Sequence, residues 1–444
     1  MASVNPNVWQ VTIPRDDLSI NIENGVETVR YRYGRNDLNF ITAEYLTPDT
    51  NNEFWTNLGR RITYAPGQTQ HDTVERWRWL PAPGASPEAA PALLPPVAFT
   101  ARADNRTFLS GQAIQDLYYP AFDRFFDSTA QHIKQQGYNV VILMPPWDWI
   151  QTDPTPKIGN PFNKNPNYPS DDKLVEHIQA FQNAGLSVIL APQVCCSEIS
   201  YQHRTAQWWT AYFNEIEQFL AHFADVGQQA NVSMLYYAVG VEELNAPQAA
   251  ERWPTVWQTV RTQFSGQIGQ MVWSFINPAS PLDIIPRAND IPWGDQLDFF
   301  VLQTDAPLGS ASDITDTELQ QAAGRVLDTA RPLFETWHKP LLLVTSYASV
   351  AGAWQGGQRF DIPTIMNAPW FGEEEWKKNS TDHYSGADQA RVIDAYWRAI
   401  ANRPWVIGFA QFGYWHWDMT LSPDMSVRGK ATEIVWRHWN ELIR

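Results

Sequence analysis

From residue 97 to the C-terminus, short apolar runs alternate with amphipathic stretches, and this alternation limits the fold more than any other feature of the chain. The apolar runs are 97–102, 140–144, 187–191, 235–241, 270–275, 298–305, 340–347 and 406–411. Each is of strand length, and helix-period segments separate them. The segment starting at Asp171 shows the pattern clearly. Ser170 is a ready N-cap, two aspartates sit in the positive first turn, Leu174, Val175, Ile178 and Phe181 share a face, and Gly185 ends it. Thr315 and Glu318 form a capping box that opens another helix. Eight strands alternating with helices predict a (β/α)8 TIM barrel, whose chemistry sits at the C-terminal ends of its strands. A doubly wound open sheet is the alternative, but no glycine-rich phosphate fingerprint follows any strand.

Residues 1–80 read differently. Runs such as 26–33 and 75–79 alternate with the period of two expected of strands, and no helical period intervenes, so a small all-β domain is expected there. Residues 81–97 follow, with prolines at 81, 83, 87, 91, 95 and 96. Such a segment continues neither a helix nor a sheet, and is expected to link the β domain to a barrel spanning 98–444.

Composition narrows the partners. A net charge of −16 opposes binding to nucleic acid. No apolar run approaches the ~18 residues of a membrane span. The two cysteines, Cys195 and Cys196, are adjacent, so neither a disulfide framework nor a zinc spacing is present, and no metal or other cofactor is expected. The first residues do not form a signal peptide; the compartment stays open, with a secreted or cell-surface place favoured if a leader once preceded them. The 22 tryptophans suit a core, and where they gather at strand ends they suit stacking on sugar rings.

The residues at the expected strand ends give the chemistry. The fourth run stops at Glu242, Glu243 and Asn245. Strand alternation pairs Glu242 with Gly240 and favours Glu242 for the barrel mouth, with Glu243 kept as the other candidate. The sixth run offers Gln303 and Asp305, which share parity; the second Trp147, Asp148 and Trp149; the third leads to His203. Trp273 ends the fifth, Tyr347 the seventh, and Trp415, Trp417 and Asp418 follow the eighth. Carboxylates, amides and indoles together point to glycoside chemistry, with an oligosaccharide or polysaccharide as substrate: acid and base for the glycosidic bond, amides for hydroxyls, rings for stacking. Glu242, Glu243 and Asp305 are the candidate catalytic groups and the others candidate substrate contacts.

Several of these motifs, in order, resemble the clan A glycoside hydrolases, above all the family-113 β-mannanases. They are Pro145-Pro146-Trp147-Asp148-Trp149, Ser170-Asp171-Asp172-Lys173, the 185–192 strand, Trp208-Trp209, Gly240-Val241-Glu242-Glu243-Leu244, Asp305, and Gly413-Tyr414-Trp415-His416-Trp417. The resemblance covers roughly residues 98–444. It implies a barrel in which a Glu ending strand four, here Glu242 or Glu243, is the general acid/base, and a Glu ending strand seven is the nucleophile of a retaining reaction. The matching strand-seven position falls within 344–346, and no acidic residue occurs after Pro340 until Asp361. A glycoside hydrolase with a rearranged pair, Asp305 serving as the second carboxylate, is therefore expected. A carbohydrate-binding barrel that has lost hydrolysis is the alternative.

Overall fold

The computed structural model describes four strands between residues 19 and 64, then residues 95, 97–99, 107–115, 126–160, 170–195, 199–277, 280–311, 313–356, 385–414 and 425–443. Strands β1 (Ser19–Glu23), β2 (Val26–Tyr31), β3 (Ile41–Leu46) and β4 (Arg61–Tyr64) form an antiparallel sheet in sequential order. The expected strand at 75–79 and most of the proline-rich segment lie outside the described residues.

Eight parallel strands close into a barrel. They are β5 (Leu109–Gln115), β6 (Val140–Met144), β9 (Ser187–Leu190), β11 (Met234–Ala238), β12 (Gln267–Asn277), β14 (Phe299–Thr304), β15 (Leu341–Thr345) and β16 (Val406–Phe412), each paired with the next, and β16 closes onto β5. Their apolar residues alternate between two cores. Ile142, Ile189, Tyr236, Met271, Phe299, Val301, Leu342, Val344 and Ala410 fill the barrel interior. The intervening residues pack against the surrounding helices.

The helices form as their sequences dictate. They are α1 (Phe126–Gln135), α2 (Asp171–Asn183), α3 (Ala206–Gln229), the single turn α4 (Val241–Leu244), α5 (Ala249–Gln263), α6 (Asp316–Thr329), α7 (Arg331–Trp337), α8 (Gly386–Ala401) and α9 (Ala431–Leu442). Ser170 caps α2 by accepting from Lys173 N at 3.3 Å. Thr315 and Glu318 exchange bonds as a capping box, at 3.2 and 2.8 Å. Helix α3 lays Trp208, Trp209, Tyr212, Phe213, Ile216, Phe219, Leu220 and Phe223 against the sheet. The helix that this capping box opens, α6, is followed at once by α7, the two parted at Ala330 with Pro332 in the first turn of the second.

The first barrel strand corrects an expectation. It is 109–115, not 97–102: residues 97–99 form no strand, and the rest of that run lies outside the described residues. Val97 and Phe99 instead pack on the barrel. Phe99 meets Phe108, Trp397 and Trp439 edge-on, and Arg398 donates to the Pro95 carbonyl at 2.8 Å. The true strand reads Leu-Ser-Gly-Gln-Ala-Ile-Gln, too polar to look like a core strand. Ser110 is fully buried and donates to Asn440 on α9, and Gly111 gives close approach to β6, where a Cβ would lie 2.9 Å from the Val140 carbonyl oxygen.

Beyond the barrel wall, β7 (Pro146–Gln151) continues from β6 and forms a second small sheet with β8 (Lys157–Gly159) and β10 (Gln193–Cys195). Strand β13 (Ser280–Ile285) folds back antiparallel on β12.

Candidate active site

Strand β11 ends at Ala238, before the acidic doublet. Gly240, with extended backbone, caps the turn α4, and Glu243 at its third position accepts from the Gly240 amide. The doublet is therefore helical, and strand alternation does not assign its side chains. Their surroundings do. Glu243 is 5% exposed and turns toward the helix layer, where the Tyr212 hydroxyl of α3 also donates to it. Trp149 and Trp208 stack on Tyr212 at 5.4 and 5.5 Å, so the carboxyl lies in an aromatic wall. Glu242 is exposed on the same turn.

Burial pushes the Glu243 carboxyl up from the usual 4.5 to about 7, against the lowering effect of its two donors, and the neighbouring Glu242 adds to the rise. The Tyr201, Tyr212 and Tyr237 hydroxyls are raised above 10 by burial first and by the Glu243 charge second. A carboxyl whose pKa is higher folded than unfolded binds more protons in the folded state, so its stabilising contribution is complete below about 4.5 and is lost as pH rises to about 7. For each pH unit by which folding raises a carboxyl's pKa, about 1.4 kcal/mol separates its protonated and ionised forms. Wild type should lose stability relative to Glu243→Gln across this window in urea unfolding at pH 4.5, 6 and 7.5. A constant difference at all three values would contradict the assigned burial.

On the opposite side of the rim, β12, β14 and β15 stand in register. Trp273 pairs with Gln303, and Gln303 with Val344. Trp273 packs on the barrel-interior core, and the buried Gln303 Oε1 has no hydrogen-bond partner among the described residues. Thr304 aligns with Thr345, and Ser346 N donates to the Thr304 carbonyl at 3.1 Å, which sets Asp305 and Ser346 side by side at the next level. Ser346 is two residues beyond the interior-facing Val344 and is buried. Asp305 is partly buried, and that burial raises its pKa.

Other expected site residues have other surroundings. Trp149 is buried on Tyr212, and Trp147 packs on Phe219, His222 and Phe223 of α3; both indoles belong to the helix layer, not to a sugar platform. Between them, the partly buried Asp148 has an Oδ1 with no partner among the described residues. Tyr347 is 1% exposed, donates to the Ala306 carbonyl at 2.5 Å and meets the Tyr396 hydroxyl at 2.8 Å, so it anchors β15 to α8 instead of reaching a sugar. His203 is exposed with a left-handed backbone, φ 57°. Asn245 donates to the Val241 carbonyl at 3.0 Å and closes the α4 turn. Trp415, Trp417 and Asp418 lie outside the described residues. Sequence reasoning did not single out Tyr201, Tyr212 or Tyr237 as part of the acidic site. Tyr212 is indistinguishable there from the rest of the apolar stripe of α3.

A closed parallel barrel with carboxylates and an indole at its strand ends defines the clan A class of glycoside hydrolase fold. The family model for Glycoside Hydrolase Family 113 matches residues 126–361, more than half of the chain. The chain belongs to that family, and it is a glycoside hydrolase whose substrate is an oligo- or polysaccharide. No curated protein matches it. Among solved structures, it is similar to a GH113 β-1,4-mannanase complex, with TM-score 0.56 and 16% identity over 76% of this chain and 99% of that one. It is equally similar in fold to the GH113 β-mannanase AaManA from Alicyclobacillus acidocaldarius in complex with ManMIm, with TM-score 0.56 and 18% identity over 77% of this chain and 100% of that one. A Glycoside Hydrolase Family 5 mannosidase from Rhizomucor miehei gives TM-score 0.50 and 9% identity over 76% and 93%. At these identities the likeness carries the fold alone. Among the described residues, no helix is long and apolar enough to cross a membrane.

Proposed function

We propose that the protein hydrolyses a β-linked polysaccharide of the mannan type with inversion, using Glu242 as general acid and Asp305 as general base. One observation carries this reading. The strand-seven end, where the family resemblance expects a nucleophilic Glu, has Ser346, and the neighbouring position on strand six has Asp305. In the barrel order β11 and β14 are two strand steps apart. At about 4.8 Å per step, that span is compatible with the roughly 6.5–9.5 Å between carboxyls that inversion requires.

The reaction follows from these places. The Glu242 carboxyl gives its proton to the glycosidic oxygen as the bond to the anomeric carbon breaks. A water held by Asp305 attacks the opposite face of the sugar and gives its proton to the Asp305 carboxylate. The leaving sugar departs as an alcohol, and the pair resets by proton exchange with solvent. Ser346 is too short to reach the anomeric carbon as a Glu would, and its hydroxyl has no activating base assigned to it; a small side chain there leaves room for the water. Trp273 supplies a stacking face and Gln303 an acceptor for a sugar hydroxyl. Glu243 is unsuited to the acid role because its carboxyl lies in the helix layer between Tyr212 and Gly240 N.

The mannan preference rests on the β-mannanases among the similar folds. The purified protein is expected to release reducing ends from β-1,4-mannan faster than from cellulose or xylan. Sugar binding in calorimetry without any release would instead favour the non-catalytic carbohydrate-binding reading.

A further inference from the structure

Glu243 remains unused by this mechanism, although it is the most buried carboxyl side chain among the described residues. A carboxylic side chain buried in an aromatic wall costs stability unless its oxygens are hydrogen-bonded there. Its two donors come from different parts of the fold, Tyr212 from the middle of α3 and Gly240 from the residue that starts the α4 turn. The bond to Gly240 closes the same turn that carries Glu242, and a Cβ placed on Gly240 would lie 3.2 Å from Glu243 Oε2 and 3.7 Å from Glu242 Oε2. The two carboxyl groups therefore converge on one backbone position.

We infer that Glu243 is a positioning residue for the acid: clamped between the Tyr212 hydroxyl and the Gly240 amide, it fixes the turn that presents Glu242. The inference rests on the assignment of Glu242 as general acid. The charged and titratable groups that face Glu243 are Tyr212 from α3, Tyr201 ahead of α3, Tyr237 from β11, and Glu242 from its own turn. The tyrosines stay neutral because burial raises them, so Tyr212 meets the Glu243 carboxyl as a hydroxyl donor.

The test compares Glu243→Gln with wild type on two β-mannosides, one with an alkyl leaving group that needs protonation and one with a nitrophenyl leaving group that does not. The glutamine keeps the shape but offers one acceptor oxygen to the two donors. The loss in kcat should be roughly tenfold or more on the alkyl substrate, with nitrophenyl cleavage little changed. Tyr212→Phe, which removes one hydroxyl and keeps the stacked ring, should lower alkyl cleavage selectively but by less, and serves if the glutamine variant does not fold. An unchanged kcat on the alkyl substrate, or an equal loss on both substrates, would show a merely structural Glu243 and overturn the inference. Glu242→Gln is run alongside: if it cleaves the alkyl substrate at the wild-type rate, the acid assignment fails, separately from the role of Glu243.

Discussion

Glu242→Gln is expected to lower kcat/KM on β-mannan oligosaccharides by roughly a hundred- to ten-thousand-fold, the usual worth of a positioned general acid. The leaving group of a polysaccharide is a sugar alkoxide, a poor departing group, so the bond breaks only as a proton arrives. Glutamine keeps the length and polarity of the side chain but has no acidic proton to give. The side chain is exposed at the start of α4, away from the packed core, so the thermal midpoint should stay close to that of wild type. The loss should appear in kcat with KM nearly unchanged, because the proton moves in the transition state and not in the bound ground state. An activity loss accompanied by unfolding, or a change in KM alone, would speak against the acid role.

Asp305→Asn is expected to lose activity by a comparable factor and to gain stability. An amide cannot take the proton from water, so the attacking oxygen stays a weak nucleophile. The stability side follows from the raised pKa. The Asp305 carboxyl has a pKa above its usual 3.8 because burial disfavours its charge. The folded protein is thus stabilised by this group only at pH low enough to protonate it, and loses that contribution as pH rises through the folded-state pKa. At neutral pH the ionised Asp305 opposes folding, and asparagine removes the charge. The raised pKa also places the acid limb of the wild-type activity profile above the ordinary aspartate range, since the base must be ionised to work. A site that lowers stability while supplying chemistry is common where function needs a desolvated charge. Urea unfolding at pH 7 and steady-state kinetics on the same variant check both halves. If Asp305→Asn is both active and no more stable, neither the base role nor the burial argument survives.

Much of the barrel was legible because its strands are short apolar runs and its helices carry caps. Ser170, Thr315 and the stripe of α3 lie where local rules place them. The first strand was hidden because its outward residues, Ser110 and Gln112, are buried polar groups facing helices instead of apolar ones. The more apolar run at 97–102 drew the assignment in its place. The doublet was misread for a related reason. Treating the run as strand through Val241 ignored Gly240 followed three residues later by Glu243, a spacing that opens a helical turn once glycine is accepted as its cap. Tyr347 could have been excluded from the mouth by alternation, since it falls out of phase with Val344 and Ser346. Trp147 and Trp149 could not, because the run Pro145-Pro146 interrupts the strand and resets which face follows. That Trp149 serves α3 depends on Tyr212, 63 residues away in the chain.

The most direct test of the account is the anomeric configuration of the first product. Proton NMR of a β-1,4-mannooligosaccharide, followed from the moment wild-type protein is added, resolves the two anomers before they equilibrate. With Glu242 as acid, Asp305 as base and Ser346 where a nucleophile would stand, the α-anomer should appear first. Initial release of the β-anomer would require a covalent intermediate on some other group and would contradict the pairing of Glu242 with Asp305.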